Sequence, residues 1–481
     1  MSRCHCVLVA LTLFPLAVLR AQDWPHWRGP SFDGSTTVKG LPTSFDKETH
    51  VAWSVPMPGP AASTPIVVGN RVYLTAADRE RGELLAICLD RTTGKVVWQH
   101  DAGSGFGGGE DPASKVAGGP RSNYASPSPC IDSQRVVFFF GNGDLVAYDF
   151  DGKELWRRNL QKDYGKFAFQ WTFSASPTIH AGKVWIPILQ RDVPVERRRR
   201  PRGGDADAAT ESIVSFVLAI DAESGTTALK IDRPSPARVE SREAYTTIVP
   251  WQSKKGMQML CLGGDVLTGH DPETGRELWR WGTWNPGHRE QWWRVVPSVV
   301  VADGLALVCA PKRAPVYAVA IEATASSDSG TTNAASVAEP VVEDAVRQLG
   351  DDAVVWKSEG RPNFVSSDVP TPAYHAGAFF VLNDDRATIS RVAAKDGSIA
   401  WTTQLAKDFR WRASPTVADG RIYVMDHAGN VVVVDETSGE IVHQAAFGND
   451  GDDLIRSTIV AAHGALWIRT NDKLWCIAEQ R

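Results

Sequence analysis

The sequence predicts an all-β protein, an eight-bladed β-propeller of four-stranded antiparallel blades whose ring is closed by an N-terminal strand. Two repeated patterns and one spare strand support this prediction. The first pattern is a small residue or Ser/Thr before Pro, then an apolar stretch, a Gly turn and an alternating strand, as in Ser63-Thr64-Pro65-Ile66. In two weaker copies Thr replaces the Pro. The eight copies are anchored at Pro65, Pro127, Pro177, Thr247, Pro297, Pro372, Pro415 and Thr458.

The second pattern is an apolar strand followed by Asp, a short turn ending in Gly, and Trp four residues later. Asp90, Gly94 and Trp98 form one copy, and further copies end in Trp156, Trp279 and Trp401. Asp caps such a turn and Gly supplies a positive φ, which is typical of a hairpin. The anchors lie 43 to 75 residues apart. Four short strands in a repeat of this length indicate a propeller blade with insertions.

The ring-closing strand is predicted because the last repeat lacks one strand and an unassigned strand lies near the start of the chain. The last unit ends at Trp475-Cys476-Ile477 and lacks its Gly-to-Trp strand, whereas Val51-Ala52-Trp53-Ser54 near the start belongs to no unit. We expect this spare strand to complete the eighth blade, since that would leave no open edge in the ring.

Residues 1–21 have the pattern of a cleavable secretory signal. A basic start precedes about 14 apolar residues, too few to span a bilayer, and a small residue follows at Ala21. A retained N-terminal anchor is the alternative, and the positions of Cys4 and Cys6 do not fit a lipoprotein signal. We therefore expect an exported protein, periplasmic or secreted, with an N-terminal segment at residues 22–49 and the propeller at residues 50–481.

Composition and charge narrow the classes of function. The chain has 481 residues, 22% charged and 43% hydrophobic, with a formal net charge of −5. An acidic balance argues against nucleic acid as a partner, because phosphate binding needs excess Lys and Arg. Five Cys remain after residue 21, an odd number, and each lies in or beside an apolar run. We expect them to be buried and free. No transmembrane segment is expected after signal cleavage, and we expect a monomer.

The Asp-x-x-Thr-Gly-Lys-x-x-Trp pattern resembles the PQQ-like, or quinoprotein-type, propeller repeat over roughly residues 50 to 479. The opening Trp24-Pro25-His26-Trp27-Arg28-Gly29-Pro30 is similar to the segment that precedes such propellers in exported bacterial proteins. The resemblance implies that a Trp docks between adjacent blades. The positions that match are Trp53, Trp98, Trp156, Trp279, Trp356 and Trp401.

The candidate binding site is the channel mouth, where the segments preceding the inner strands converge. Five of the eight blades place Arg within six residues of the anchor. Arg recognises carboxylates and Trp offers a stacking surface, so the ring would form a positive funnel for an anionic ligand or an acidic peptide. The alternative is that these side chains lock neighbouring blades together. The candidates are Arg121, Asn123, Gln170, Trp171, Arg242, Trp292, Trp293, Arg294, Arg410, Trp411, Arg412 and Arg456.

Three classes of function are consistent with the sequence. The first is an exported binding scaffold in the cell envelope, partnered by an envelope protein or a small anionic ligand; the repeats resemble the propeller of the outer-membrane barrel-assembly lipoprotein. The second is a quinoprotein oxidoreductase with pyrroloquinoline quinone and calcium in the channel. Such dehydrogenases carry two adjacent Cys over the quinone, and this sequence has no Cys-Cys pair. A glycan-directed lyase or hydrolase is a third possibility. No catalytic residue or metal ligand is assigned.

Two insertions interrupt the repeats. Residues 191–212 contain Arg197-Arg198-Arg199-Arg200-Pro201-Arg202, interpreted as a solvated loop, with a grip on an anionic polymer as the alternative. Residues 323–350 are rich in Ala, Ser and Thr and are expected to form a flexible loop. Asn449 to Asp453 is interpreted as an Asx-rich turn, with calcium binding as the alternative.

Overall fold

Eight antiparallel sheets follow one another around a ring, as the repeats predict. The computed structural model describes residues 22–104, 123–193, 213–322, 346–449, 452 and 454–479. The predicted signal at residues 1–21 and most of the two insertions, including Arg197–Arg202, lie outside these ranges. The described part has one short α-helix, α1 (Leu160–Tyr164), and strands fill nearly all the rest of its regular structure. None of its helices has the length and apolarity needed to cross a bilayer.

Each blade runs as a meander from the channel outward. The first strand, β1 (Val51–Pro56), belongs to blade eight. Blade one contains β2 (Ile66–Val68), β3 (Arg71–Asp78), β4 (Glu83–Asp90) and β5 (Val96–Ser104). Blade two contains β6 (Cys130–Ile131), β7 (Val136–Phe139), β8 (Asp144–Tyr148) and β9 (Glu154–Asn159). Blade three contains β10 (Thr178–His180), β11 (Lys183–Ile188), β12 (Phe216–Asp221) and β13 (Thr227–Asp232). Blade four contains β14 (Val249–Ser253), β15 (Gly256–Gly263), β16 (Val266–His270) and β17 (Glu277–Trp281).

The second half of the ring repeats this order. Blade five contains β18 (Val300–Ala302), β19 (Leu305–Cys309), β20 (Val316–Ala320) and, after β21 (Arg347–Leu349), its outer strand β22 (Val354–Lys357). Blade six contains β23 (Ala373–His375), β24 (Ala378–Asn383), β25 (Thr388–Ala393) and β26 (Ile399–Gln404). Blade seven contains β27 (Thr416–Ala418), β28 (Arg421–Met425), β29 (Asn430–Asp435) and β30 (Ile441–Ala446). Blade eight contains β31 (Val460–Ala462), β32 (Ala465–Arg469) and β33 (Lys473–Ala478). Three 3-10 turns lie between strands, at Val239–Arg242, Pro286–His288 and Asp351–Ala353.

The predicted ring closure is confirmed. Strand β1 pairs antiparallel with β33, so that Trp53 faces Cys476 and Val55 faces Leu474. Blade eight therefore takes three strands from the end of the chain and its outermost strand from the beginning. The core lies in layers between neighbouring blades, as where Phe380 and Leu382 of blade six pack in one cluster with Val417 and Ile422 of blade seven. The five described Cys are buried and free, as expected.

A chain of hydrogen bonds to side-chain hydroxyls, here called the hydroxyl belt, joins blades one to seven in order around the channel. In each step a backbone N–H of one blade donates to a Ser or Thr hydroxyl of the next blade, at 2.8 to 3.2 Å. This arrangement explains why Ser or Thr recurs beside the anchors, because a hydroxyl there satisfies a buried N–H. The residues of the belt, in order, are Thr64, Ser128, Ser176, Thr247, Ser298, Thr371 and Ser414.

Trp side chains form a second set of contacts between blades. Five indole N–H groups donate to a backbone carbonyl of the following blade, at 2.7 to 3.3 Å. These belong to Trp53, Trp98, Trp156, Trp356 and Trp401. Each indole also lies against the turn Gly of that blade; a Cβ on Gly225 would come within 2.6 Å of the Trp156 ring.

Trp279 departs from the predicted docking pattern. Its indole N–H donates to Gln258 of its own blade, 2.7 Å away, and its ring covers Gly269 of the same blade. The turn Gly275 instead lies against Ile231 of blade three. Blade three has Leu229 in place of the expected Trp, so an aliphatic pair makes this contact.

The end of the second insertion is ordered, which corrects part of the loop prediction for residues 323–350. Strand β21 pairs parallel with β17, with Trp279 facing Arg347 and Trp281 facing Leu349. It is thus a fifth strand on the outer edge of blade four. The physical reason is that an outer strand leaves N–H and C=O groups unpaired, and a neighbouring segment of the same chain satisfies them.

Candidate functional site

A cavity of about 200 Å³ opens at the channel mouth, where the segments preceding the inner strands meet. Residues that immediately precede the inner strands of all eight blades contribute to it, together with one side chain from the N-terminal segment. The described lining mixes cationic, hydroxyl, aromatic and aliphatic groups. It consists of Trp27, Ala62, Ser126, Trp171, Thr172, Ser174, Ser176, Tyr245, Thr247, Arg294, Val296, Val369, Arg412, Ser414, Arg456 and Thr458.

The floor of the cavity is formed by residues 24–35, here called the floor segment, which cross the ring. Trp24 pairs antiparallel with Val67 on the inner strand of blade one. Eleven residues later, Ser35 pairs with Val417 on the inner strand of blade seven. Between them, Trp27 lines the cavity. The floor segment therefore runs from one side of the channel to another beneath the mouth.

Arg28 fixes the floor segment to the ring. Its Nη2 donates to the carbonyl oxygens of Pro372 and Pro415, at 3.1 and 2.9 Å, and so joins blades six and seven. The side chain is fully buried, and burial lowers the pKa of Arg28 to about 10. The guanidinium is still charged at neutral pH, so it adds a fixed positive charge below the cavity floor.

Two of the predicted Arg residues face the cavity with carboxylates beside them. Nη2 of Arg294 lies 3.3 Å from Oδ2 of Asp368, and its Nε lies 3.6 Å from Oε1 of Glu240. Nε of Arg412 lies 3.3 Å from Oδ2 of Asp384. Burial lowers the pKa of Arg412 and raises the pKa of the Asp384 carboxyl. These pairs tie segments of different blades together, as the blade-locking alternative expects.

The carboxylates that pair with the Arg side chains do not line the mouth cavity. Asp368 and Asp384 line a separate polar cavity between blades five and six, whereas Arg294 and Arg412 line the mouth cavity itself. The ion pairs are thus oriented with their positive ends toward the mouth. Locking the blades and presenting positive charge are compatible roles for these side chains.

A buried polar network supports the opposite wall. The Tyr245 hydroxyl donates to Oε2 of Glu243 at 2.7 Å and accepts the backbone N–H of Trp171 at 3.2 Å. Glu243 also pairs with Arg191 and accepts the backbone N–H of Gln170. Burial raises the pKa of both Glu243 and Tyr245, the latter well above its ordinary value. Tyr245 therefore stays protonated and acts as a support for Trp171.

The structure brings four predicted site residues into the cavity wall and places the others elsewhere. The four are Trp171, Arg294, Arg412 and Arg456. Among the rest, Arg410 lines the neighbouring polar cavity, while Gln170 and Trp292 are exposed and Arg242 and Trp293 half-buried. Asn123 is fully buried, and Arg121 lies outside the described residues.

Trp411 corrects the sequence-based interpretation of a stacking surface. It is fully buried between blades six and seven, and its indole N–H donates to the carbonyl of Ala406 at 2.7 Å. It cannot contact a ligand in the channel. The side chains that provide flat surfaces there are Trp171 and Trp27, and the latter was missed because nothing in the sequence shows that the N-terminal segment crosses the ring.

Potential metal ligands do not cluster in the described part of the protein. The described residues contain no cluster of three or more His, Cys, Asp or Glu side chains arranged to hold a metal ion. At the predicted Asx-rich turn, Asn449 donates its amide to Asp472, and its backbone N–H bonds to Asp452, as the turn interpretation expects. Asp450 and Asp453 lie outside the described residues.

The fold and its repeats define a β-propeller of the PQQ-like class. The chain belongs to the PQQ-like repeat family whose model is described as "Outer membrane protein assembly factor BamB", which matches residues 35–192 and 342–473. This confirms the resemblance drawn from the repeat pattern. No curated protein sequence matches the chain.

Solved structures similar to this chain include a BamB protein and two dehydrogenases. BamB from Moraxella catarrhalis is 14% identical with a TM-score of 0.55, covering 89% of this chain and 99% of that one. A europium-containing methanol dehydrogenase is 12% identical with a TM-score of 0.66, covering 96% and 98%. The quinohemoprotein alcohol dehydrogenase from Comamonas testosteroni is 13% identical with a TM-score of 0.59, covering 97% and 82%. At these identities the likeness shows the fold alone.

Proposed function

We propose that this protein is an exported binding scaffold of the cell envelope whose channel mouth binds a carboxylate-bearing ligand. One observation carries the proposal: Arg294, Arg412 and Arg456 converge on a cavity whose described lining contains no carboxylate. Arg recognises carboxylates through paired N–H donors, and such charge-assisted bonds are stronger than neutral ones. Export is proposed from the signal-like residues 1–21 and is in keeping with the description of the family.

The surroundings of the cavity favour binding over chemistry. The ion pairs behind Arg294 and Arg412 hold each guanidinium in one orientation, which lowers the entropy lost when a ligand is bound. Trp27 below and Trp171 at the side offer flat apolar surfaces. Apart from the Arg residues, Tyr245 is the titratable side chain of the described lining. Its hydroxyl already donates a hydrogen bond to Glu243, which leaves it poorly placed to act as a catalytic acid or base.

The quinoprotein oxidoreductase is the second candidate, and the cavity fits it in part. Pyrroloquinoline quinone is a flat tricarboxylate, which suits three Arg and two Trp side chains. The accompanying calcium needs carboxylate and amide oxygens, and none lines the described cavity. The described Cys are all buried and separate in sequence, so no disulfide of adjacent Cys covers the site. The residues therefore do not fit the quinone together with its metal, and we derive no reaction through them.

The test is titration calorimetry of the mature protein with citrate, a small tricarboxylate, and with the quinone in the presence and absence of Ca²⁺. We expect citrate to bind and the double variant Arg294→Gln with Arg412→Gln to bind it at least about tenfold more weakly, since each lost charged contact costs about 1.5–3 kcal/mol. Arg421→Gln is the matched control, because Arg421 lies beside Asp419 at the opposite end of blade seven.

Two results would count against the proposal. Equal citrate binding by the parent and the double variant would assign both Arg residues to blade locking alone. Retention of the quinone only with Ca²⁺, together with its absorbance after desalting, would favour the oxidoreductase. Thermal melting of each variant separates loss of binding from loss of fold.

A further inference from the structure

The mouth cavity is small. Its volume is about 200 Å³. Typical sites for drug-sized ligands start at about 300 Å³. The cavity therefore accepts one compact group, and whatever else belongs to the ligand has to lie outside, on the face that surrounds the mouth.

The side chains that line the cavity are complementary to a ligand group with one anionic part and one apolar part. Arg294 and Arg412 supply charge on one side. Val296, Val369 and Trp27 supply aliphatic and aromatic surface within the same small space. An inorganic anion or the short side chain of an aspartate would leave the apolar part of the wall in contact with water. A residue that carries both a carboxylate and a hydrocarbon side chain can contact the Arg side chains and the apolar part of the wall at the same time.

The face around the mouth carries exposed aromatic side chains, here called the aromatic rim: Trp292, Phe364 and Phe409, which are 56%, 39% and 47% exposed. Trp292 lies two residues before Arg294, and Phe409 three residues before Arg412, so both belong to segments that enter the cavity wall. The carbonyl of Phe364 accepts a hydrogen bond from Asn383, which lines the adjoining polar cavity.

Charges of both signs stand beside these aromatic residues. Arg289 and Glu290 are exposed next to Trp292, and Lys407 and Asp408 next to Phe409. A surface that binds a polyanion would carry positive charge alone along the line where the polyanion lies. Exposed Trp, Phe and Arg with mixed charges at the margin are instead the composition of surfaces that bind proteins.

We propose that the mouth binds the C-terminal end of a polypeptide, with the terminal carboxylate and an apolar last side chain in the cavity and the preceding residues on the aromatic rim. A chain end brings a single extended strand to the opening, whereas an internal loop would have to bring two. Capture of a terminal carboxylate is a recurrent mode of peptide recognition. This inference rests on the proposed function, because it uses the same Arg residues.

The experiment measures fluorescence anisotropy of the mature protein with labelled six-residue peptides. One ends in leucine with a free carboxylate, the second is the same peptide as its C-terminal amide, and the third ends in serine with a free carboxylate. We expect the leucine acid to bind at least about tenfold more tightly than either of the others. Trp292→Ser should weaken binding of the leucine acid while leaving citrate binding unchanged, since Trp292 lies outside the cavity wall.

The outcomes separate this inference from the proposed function. Equal binding of acid and amide would overturn the inference, and so would equal binding of the leucine and serine acids. Citrate binding that depends on Arg294 and Arg412, together with no binding of the leucine acid, would overturn it while leaving the proposed function in place. Tighter binding of polyglucuronate than of the leucine acid would assign the mouth to an acidic glycan. If neither citrate nor the leucine acid binds, both proposals fail.

Discussion

The hydroxyl of Ser176 accepts the backbone N–H of Ser128 from 3.0 Å away and so joins blade two to blade three. The same pairing recurs from Thr64 to Ser414. A propeller has no central core that all blades share, so contacts of this kind decide whether adjacent sheets stay in register around the channel.

Removing one hydroxyl of the belt should destabilise the ring measurably. Ser176→Ala leaves the buried N–H of Ser128 without its acceptor, which costs about 1–3 kcal/mol. Ser176→Thr is the matched control, because Thr247 and Thr371 perform the same role in other blades. Urea unfolding of the three proteins tests this. A Ser176→Ala variant as stable as Ser176→Thr would show that the belt contributes little.

The contact between Trp156 and Gly225 gives a prediction with an internal control. Gly225→Ala would place a Cβ within 2.6 Å of the Trp156 ring at a φ of +72°. Gly182 has the same φ of +72°, with nothing within 4 Å of a Cβ there. We expect Gly225→Ala to lower the melting temperature substantially more than Gly182→Ala, since both share the backbone strain and one adds the clash. Equal effects would show that the ring and the turn do not pack tightly.

Truncation of the same Trp provides the complementary measurement. Trp156→Ala should cost about 3–5 kcal/mol, because it removes a large buried side chain and its hydrogen bond to Ala222. Trp156→Phe keeps much of the apolar contact but not the N–H donor, so its cost should be smaller. A loss below about 1 kcal/mol for Trp156→Ala would contradict the docking role.

Closure of the ring can be tested by comparing two deletions. Removal of residues 22–56 takes away β1 and exposes the edge of β33, so we expect aggregation or a large fall in melting temperature. Removal of residues 22–36 takes away the floor segment but keeps β1. The difference between the two reports on residues 37–56, which contain β1, and a protein without residues 22–56 that melts like the shorter deletion would argue against closure by this strand.

His26 in the floor segment makes stability depend on pH. Burial lowers its pKa to about 4, with nearby His180 lowering it further in the same direction. In the unfolded chain the pKa is about 6.5, so between pH 6.5 and 4 the unfolded state binds a proton that the folded state does not, and stability falls as the pH falls. The contribution lost between pH 7 and 4.5 is about 2.5 kcal/mol.

The variant His26→Phe should retain the stacking on Phe32, whose ring centroid is 4.5 Å away, and lose that part of the acid sensitivity. Chemical unfolding at pH 7 and at pH 4.5 measures the difference for parent and variant. His270 is also held neutral by burial, so the variant should keep some acid sensitivity. An identical loss in the two proteins would show that His26 is not the group responsible.

The blades could be predicted from the sequence because each repeats the same turn residues. Which residues occupy equivalent positions in different blades could not be predicted from the anchors. In blade five Pro297 precedes the belt residue Ser298, while in blades one and three Pro follows it, as Pro177 follows Ser176; in blade two Pro stands on both sides of Ser128. The hydroxyl, not the Pro, is the structurally constant feature, because the hydroxyl accepts the N–H of the preceding blade.

The sequence predicts those site residues whose place depends only on the nearby inner strand of their own blade. Arg294 and Arg412 lie in the wall because they belong to the short segments that lead into the inner strands of blades five and seven. Trp411 stands beside Arg412 and yet points into the core, since neighbouring residues in an extended segment face opposite ways. Trp27 depends on a crossing of the whole ring, a long-range arrangement that no local pattern encodes.

Blade eight combines residues 51–56 with residues 460–478, so one sheet joins a strand from the early part of the chain to strands that come more than 400 residues later. During synthesis, seven blades are able to form before this sheet has all its strands. Until then β1 lacks its partner and two faces of the incomplete ring are open to pairing with other chains. Assembly of this protein is therefore completed by the joining of its two ends, and the time before that event is when it most needs protection from aggregation.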